Sequence, residues 1–198
     1  MYNCTPYRGD LYSVQLIIIV DISSVAGYNS IIHLFELIIR GDNMNIYTVA
    51  FFGHRYIDII FKIEAKLEPI LKELINQKEY VEFLVGRDGE FDQIVSSAIR
   101  KAKERYDYGN VSHILVLPYE RADYRDNKDS FEHYYDEVQI SSSAAAAHPK
   151  AAIGVRNRDM IDRSDMVICY VEKKNGGAYN AMKYAESVGK KVINLIDV

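Results

Sequence analysis

Apolar and polar positions follow two alternating patterns along most of the chain, short apolar runs and longer stretches with helical spacing. β-branched and aromatic runs predict buried strands at 45–52, 80–85, 113–117, 165–171 and 191–197. Between them, apolar residues recur at helical spacing and predict amphipathic helices. Strands that alternate with helices pair in parallel, because each crossover returns the chain to the same end of the sheet.

The predicted helices cover 59–75, 91–102, 144–162 and 178–188. Pro69 falls inside the first of them and is expected to kink or interrupt it. The stretch 119–143 is rich in Tyr, Asp and Glu and is expected to be irregular, with one short helix near 130–135. The right-handed crossover rule then gives a three-layer, doubly wound α/β fold with about five parallel strands.

Residues 1–43 differ from the rest, because they contain six charged residues while the remaining 155 contain 46. Their apolar runs at 16–20 and 31–39 are shorter than the roughly 20 residues of a membrane span, and they match a secretory signal poorly. Two interpretations stay open: an extra strand and helix at the domain edge, or a translated upstream region before a true start at Met44. We therefore expect a single domain at 44–198 with an N-terminal extension.

Composition and charge narrow the class of protein. The 198 residues are 48% hydrophobic and 26% charged, which is typical of a globular chain. A net charge of −4 argues against nucleic acid as a partner, although a local basic patch stays open. Cys4 and Cys169 are far apart and are expected to be free thiols in a reducing, cytoplasmic compartment, Cys169 within the core. We expect no membrane, metal or cofactor; His133 has no second His at metal-ligand spacing.

Three turns that follow predicted strands carry the candidate chemistry. They are Gly53-His54-Arg55 after the first strand, 86–92 (GRDGEFD) after the second and 175–178 (NGGA) after the fourth. In open parallel sheets, ligands bind beyond the carboxyl ends of the strands, where helix N-termini and glycine turns supply backbone donors. Each motif alone is a weak signal, but all three are expected at one edge of the sheet, which favours a shared site.

Each turn has a functional and a structural interpretation. Gly53 permits close approach of a phosphate to which His54 and Arg55 donate, or it merely ends a strand. The acidic residues at the start of the second helix accept ribose hydroxyls, or they cap that helix. The NGGA turn offers free N–H groups to a phosphate, or it is a plain flexible turn; neither the G-x-G-x-x-G nor the Walker spacing appears.

A helical face supplies a fourth candidate element. Arg156 and Arg158 lie on the predicted helix that precedes the fourth strand, and Arg163 directly follows that helix. They form a solvated basic face, or one of them reaches over the phosphate site.

These motifs, in this order, resemble the YpsA-type branch of the SLOG superfamily. That superfamily groups the LOG ("lonely guy") phosphoribohydrolases and the DprA-type proteins on one Rossmann-like fold. TVAFFGHR, FLVGRDGEFDQ and NGGAYNAMKYAE carry the resemblance, which runs from about residue 45 to residue 198 and does not cover residues 1–43. It implies a Rossmann-like domain that binds a nucleotide or nucleotide-derived ligand, often as a sensor in bacterial or phage-linked systems.

The LOG enzymes, which cleave the N-glycosidic bond of nucleoside monophosphates, provide a residue-by-residue comparison. Arg156 stands four residues before Met160, as in the LOG pattern, while Asn157 replaces the family's Lys. The paired glycines match, but Asn180 stands in the Thr position and Met182 or Lys183 where the catalytic carboxylate is expected. The phosphate-binding half of a LOG site is therefore better preserved than its catalytic half.

The leading hypothesis is a nucleotide-binding sensor or regulatory module without robust catalysis. The residues predicted to bind the ligand are Gly53, His54, Arg55, Gly86, Arg87, Gly89, Arg156, Asn175, Gly176, Gly177 and Ala178. One alternative is a nucleoside 5′-monophosphate phosphoribohydrolase, with Glu90 or Asp92 as its catalytic carboxylate. A second is DprA-like nucleic-acid binding, which the acidic balance disfavours. A homo-oligomer formed through the Tyr-rich segment 119–135 is also expected.

Overall fold

The computed structural model describes residues 44–197. The predictions for residues 1–43 lie outside the described residues. The strands are β1 (Ile46–Gly53), β2 (Tyr80–Val85), β3 (Val111–Leu117), β4 (Glu137–Ile140), β5 (Met166–Tyr170) and β6 (Lys191–Asn194). The helices are α1 (Ile60–Gln77), α2 (Glu90–Tyr106), α3 (Ala122–Asp126), α4 (Lys128–Tyr134), α5 (Ser142–Ala145), α6 (Pro149–Asp162) and α7 (Gly176–Ser187).

The strands form one parallel sheet in the order β4-β3-β2-β1-β5-β6. The chain builds outward from β1 to β4 and then crosses back to place β5 on the other side of β1. The strand order therefore reverses between β1 and β5, and the carboxyl ends of these two strands frame the usual ligand position of an open α/β sheet. The predicted doubly wound α/β class is confirmed.

Both faces of the sheet are covered, which gives the three predicted layers. In β1, Val49 and Phe51 pack toward α1 and α2, whereas Ala50 and Phe52 pack toward α6 and α7. All four side chains are buried. A strand that is buried on both faces reads as a continuous apolar run, which is why the sequence pattern identified β1 so clearly.

The predicted strand count was one too low, because β4 lies in the stretch that was expected to be irregular. β4 is a four-residue edge strand, EVQI, whose side chains are all exposed or half-buried. An edge strand with polar positions carries no apolar run for a sequence pattern to detect. The same stretch contains two short helices, α3 and α4, where one was predicted.

The predicted helix at 144–162 is two helices, α5 and α6. Pro149 occupies the first turn of α6, where a missing N–H costs nothing. The expected interruption at Pro69 is absent, since α1 continues through it. Pro69 lies on the exposed side of α1, where water reaches the carbonyl that loses its donor.

The Tyr-rich segment contributes to the core. Tyr124, Phe131 and Tyr135 are buried and pack with the α1 and α2 side of the sheet. Their rings are therefore used inside this domain, and self-association through the segment stays a prediction.

Other sequence predictions concern cysteine chemistry, metals and membranes. Cys169 is a buried free thiol, as expected, and burial raises its pKa to about 12. Within residues 44–197, no group of three or more His, Cys, Asp or Glu side chains is placed to hold a metal ion. In that same part of the chain, every helix is too short or too polar to cross a membrane.

Gly53 ends β1 against the start of α2, and a Cβ atom there would overlap the ring of Phe91. We expect Gly53→Ala to lower the free energy of unfolding by about 1–3 kcal/mol, because a well-packed core yields poorly to an added methyl group. Denaturant unfolding measures the change. Gly177→Ala is the matched control, since a Cβ at Gly177 meets no described atom within 4 Å. Equal stability of the two variants would contradict the packing argument.

Candidate functional site

A cleft of about 300 Å³ lies at the carboxyl edge of the sheet, at the reversal between β1 and β5. We call it the switch-point cleft. It is lined by Phe51, Phe52, Gly53, His54, Arg55, Asp88, Gly89, Asp92, Ile153, Arg156, Asn157, Asn175, Gly176, Gly177 and Ala178. The turns after β1, β2 and β5 therefore meet at one cavity, together with one face of α6. Most residues that were predicted to bind a ligand line it; their binding role stays a prediction.

His54 joins the turn after β1 to the turn after β5. Its Nε2 accepts hydrogen bonds from the backbone N–H groups of Glu172 and Lys173, at 3.0 and 3.1 Å. Burial lowers the pKa of His54, in keeping with a neutral ring. Only Nδ1–H then remains to donate, so His54 holds two turns together and offers one donor at most.

The turn after β2 is fastened to the turn after β1. The Arg55 carbonyl accepts a hydrogen bond from the Glu90 N–H at 2.9 Å, and a Cβ at Gly89 would come within 2.8 Å of the Arg55 Cα. Glycine at position 89 is thus required by the close approach of two protein backbones. Gly53 and Gly89 both serve packing within the protein, whereas the sequence-based argument for Gly53 was the close approach of a ligand.

Arg156 is the buried cation beneath the cleft. Its residue surface is 3% exposed, and its Nη2 donates to Asp88 Oδ2 at 2.7 Å. Its Nη1 lies 3.6 Å from the sulfur of Met160, while its Nε has no hydrogen-bond partner among the described residues. Burial lowers the pKa of Arg156, and the carboxylates of Asp92 and Asp88 oppose that shift.

Gly86 makes room for this cation. A Cβ at position 86 would lie 2.5 Å from Arg156 Nη1 and 2.8 Å from Asp92 Oδ2. Gly86 does not itself line the cleft, and its contribution is to let the guanidinium lie against the end of β2.

Asp88 and Asp92 balance the buried arginine. Asp88 Oδ1 also accepts a hydrogen bond from Arg121 Nη1 at 2.7 Å, and Asp92 Oδ2 accepts one from the Asp88 N–H at 2.8 Å. Burial raises the pKa of Asp92 to about 6, while the charge of Arg156 opposes the rise. Sequence reasoning missed the pairing of Asp88 with Arg121 and Arg156, because no local pattern signals an ion pair across 68 residues.

The start of α7 provides the backbone donors. Asn175 is the N-cap residue but makes no side-chain capping bond, and Gly176 has a φ of +87°, a conformation that favours glycine. Among the residues that the structure describes, nothing lies within 4 Å of a Cβ placed at Gly176 or Gly177. The first N–H groups of a helix have no acceptor within that helix, so this end of α7 can donate into the cleft.

Two other predicted site residues make contacts away from the cleft. The Arg87 guanidinium lies 4.2 Å from the ring centroid of Phe131 and 3.9 Å from Asp123 Oδ2. Glu90 accepts a hydrogen bond from the Ile57 N–H at 2.6 Å. Of the two carboxylates predicted for catalysis, Asp92 alone lines the cleft, so a phosphoribohydrolase activity would depend on Asp92.

The fold and the cleft together define a class, a Rossmann-like α/β domain with donor groups gathered at its switch point. No protein-family model and no curated protein matches the chain. Among solved structures, it is similar to DNA processing protein A (DprA) from Streptococcus pneumoniae, with a TM-score of 0.53 and 17% identity over 74% of this chain and 49% of that chain.

A second similar structure is DprA from Helicobacter pylori, described for its mode of binding single-stranded DNA. The TM-score is 0.51 and the identity 17%, over 74% of this chain and 63% of that chain. The chain thus spans about half to under two thirds of the length of these proteins. The shared feature is the Rossmann-like fold; membership of the SLOG superfamily and of its YpsA-type branch stays a prediction.

Proposed function

We propose that the switch-point cleft binds the phosphate group of a nucleotide, and that the protein acts as a sensor or regulatory module. The observation that carries this proposal is the convergence of three turns at one cleft, one of them the start of α7, which has no side-chain cap. The cleft lies above a buried arginine whose Nε has no hydrogen-bond partner within the described part of the chain. Backbone N–H groups at a helix start and a guanidinium are the donors that phosphate recognition uses most.

The charges around the cleft are compatible with an anion. The carboxylates of Asp88 and Asp92 face the guanidinium of Arg156, and Asp88 is also paired with Arg121. Arg55 is exposed at the rim, and the exposed Lys173 and Lys174 directly precede the turn that starts α7. Glu172, directly before Lys173, is exposed as well. The additional cations around the cleft therefore outnumber the additional carboxylate, and the net charge that an incoming phosphate meets there is positive.

Gly177→Asp separates binding from folding. The backbone at Gly177 has no positive φ, and no atom of the described residues occupies the space that a side chain there would need. An acidic residue in the first turn of a helix is also stabilising. We expect the variant to be at least as stable as the wild type but to bind ribose 5-phosphate about tenfold more weakly or worse, because the carboxylate repels the phosphate. Calorimetric titration measures the affinity and thermal unfolding the stability.

Gly177→Ala is the control, and it should keep wild-type affinity. The phosphate proposal fails if the folded wild type shows no saturable binding of ribose 5-phosphate or AMP. It also fails if Gly177→Asp binds as tightly as Gly177→Ala, since the start of α7 would then have no part in binding.

The structural neighbours favour a second candidate, binding of single-stranded DNA. A strand presents the same phosphate chemistry, so an oligothymidylate is the second ligand in the same titration, at low and at high salt. Binding that weakens with salt and is lost in Gly177→Asp would place a strand in the cleft. DNA binding that Gly177→Asp leaves unchanged would assign the strand to another surface.

A further inference from the structure

A second cavity of about 300 Å³ lies between α6 and α7. We call it the α6–α7 groove. It is lined by Ala151, Ile153, Gly154, Val155, Asn157, Arg158, Gly177, Asn180, Ala181 and Tyr184. Three of these residues, Ile153, Asn157 and Gly177, also line the switch-point cleft. The two cavities are therefore adjoining parts of one depression, which meet at the start of α7.

The lining of the groove differs from that of the cleft. Small and aliphatic residues dominate it, and Ile153 is 39% exposed although its side chain is apolar. Three uncharged side chains of the groove lining can form hydrogen bonds: the carboxamides of Asn157 and Asn180 and the hydroxyl of Tyr184. The Tyr184 hydroxyl already donates to Asp162 at 2.8 Å. The guanidinium of Arg158 lies 5.3 Å from the centroid of the Tyr184 ring.

Gly154 keeps the groove open. It lies inside α6, where glycine costs about 1 kcal/mol relative to alanine. A Cβ at position 154 would meet no atom of residues 44–197 within 4 Å, and the backbone there has no positive φ. Neither the packing nor the backbone conformation of the described residues therefore requires glycine at position 154. The absence of a side chain there leaves space in the groove.

We propose that the α6–α7 groove holds the base of the nucleotide whose phosphate occupies the switch-point cleft; the inference rests on the proposed function. A nucleobase needs an apolar slot for its flat faces and groups that both donate and accept at its edge. A carboxamide supplies one donor group and one acceptor, and Asn is a common partner of base edges. Asn157 lies where the two cavities join, and Asn180 lies in the groove alone.

The test compares AMP with ribose 5-phosphate, which has the phosphate but no base. We expect the wild type to bind AMP about tenfold more tightly or better, because the base adds hydrogen bonds and buried apolar area. Gly154→Leu should fill the groove. The affinity for AMP should then fall to that for ribose 5-phosphate, and the affinity for ribose 5-phosphate should not change. Asn180→Ala, a smaller change that keeps α7 intact, should reduce the AMP preference several-fold.

Lys183→Ala is the control, since Lys183 is exposed on α7 and pairs with Glu186 outside the groove. It should keep the full AMP preference. The inference is overturned if the wild type binds AMP and ribose 5-phosphate equally, or if neither Gly154→Leu nor Asn180→Ala changes their ratio. Absence of binding by both ligands is the separate outcome that removes the phosphate proposal itself.

Discussion

Replacing Arg156 with Met is expected to lower the free energy of unfolding by about 3–5 kcal/mol, because it leaves buried carboxylates without their cation. Arg156 is 3% exposed and bonds to Asp88, and its charge opposes the rise in the pKa of Asp92. Methionine fills much of the same volume but brings no charge. Asp92 must then either stay ionised without its counter-charge or take up a proton, and both alternatives cost free energy at pH 7.

Denaturant unfolding at pH 7 measures the loss, and a second substitution tests its cause. Adding Asp92→Asn to Arg156→Met should restore part of the lost stability, because one unpaired charge is removed. Arg158→Met is the matched control: Arg158 is exposed on the same helix and stacks on Tyr184, so its loss should cost less than about 1 kcal/mol. Equal losses for Arg156→Met and Arg158→Met would contradict a buried ion-pair cluster.

The same substitution bears on function. With Arg156 replaced, the switch-point cleft keeps the uncapped start of α7 but loses its buried guanidinium. The affinity for ribose 5-phosphate, measured on the folded fraction, should therefore fall further in Arg156→Met than in Gly177→Ala, which adds only a neutral methyl group at the start of α7.

The sequence predicts the features that depend on neighbouring residues, and it does not predict those that depend on residues far apart in the chain. The strands β1, β2, β3 and β5 are buried on both faces, and their apolar runs are local signals that a single sequence displays. β4 escaped prediction because it is a short, polar edge strand whose place depends on pairing with β3. The three turns that line the switch-point cleft follow β1, β2 and β5, as the sequence predicted. Glycines and charged residues at strand ends are also local features.

The interactions that shape the site were not predictable, because they join distant parts of the chain. From the sequence, the acidic residues of this turn either cap the helix or accept ribose hydroxyls. The bonds of Asp88 to Arg121 and Arg156 arise only once the fold brings the end of β2 beside the segment after β3 and beside α6. The surroundings of the glycines also depend on distant parts of the chain. Gly53 lies against the ring of Phe91, whereas Gly177 faces open space within the described part of the chain. The sequence predicts that glycine matters at both positions, but the structure separates a packing requirement from an open surface.

His113 on β3 should make stability strongly dependent on pH. Its ring is buried against Tyr135, with centroids 4.7 Å apart, and neither ring nitrogen has a hydrogen-bond partner among the described residues. Burial lowers the pKa of His113 to about 3, with the charges of Lys103 and Arg100 adding to that shift and Asp136 opposing it. The unfolded chain takes up this proton near pH 6.5, so the unfolded state binds more protons below that pH.

Stability is therefore lost as the pH falls from about 6.5 toward 3, at about 1.4 kcal/mol per pH unit, or about 3 kcal/mol by pH 4. His113→Phe keeps an aromatic ring beside Tyr135 but cannot take up a proton. This component should therefore be absent from the variant's unfolding profile and should account for the difference between the two profiles. The variant should also match or exceed the wild type at pH 7, because two unsatisfied nitrogens are removed. His133→Phe, which replaces an exposed histidine on α4, should keep the wild-type profile. If His113→Phe loses stability between pH 6.5 and 4 as steeply as the wild type, the acid sensitivity comes from other groups and His113 is not the buried neutral base described above.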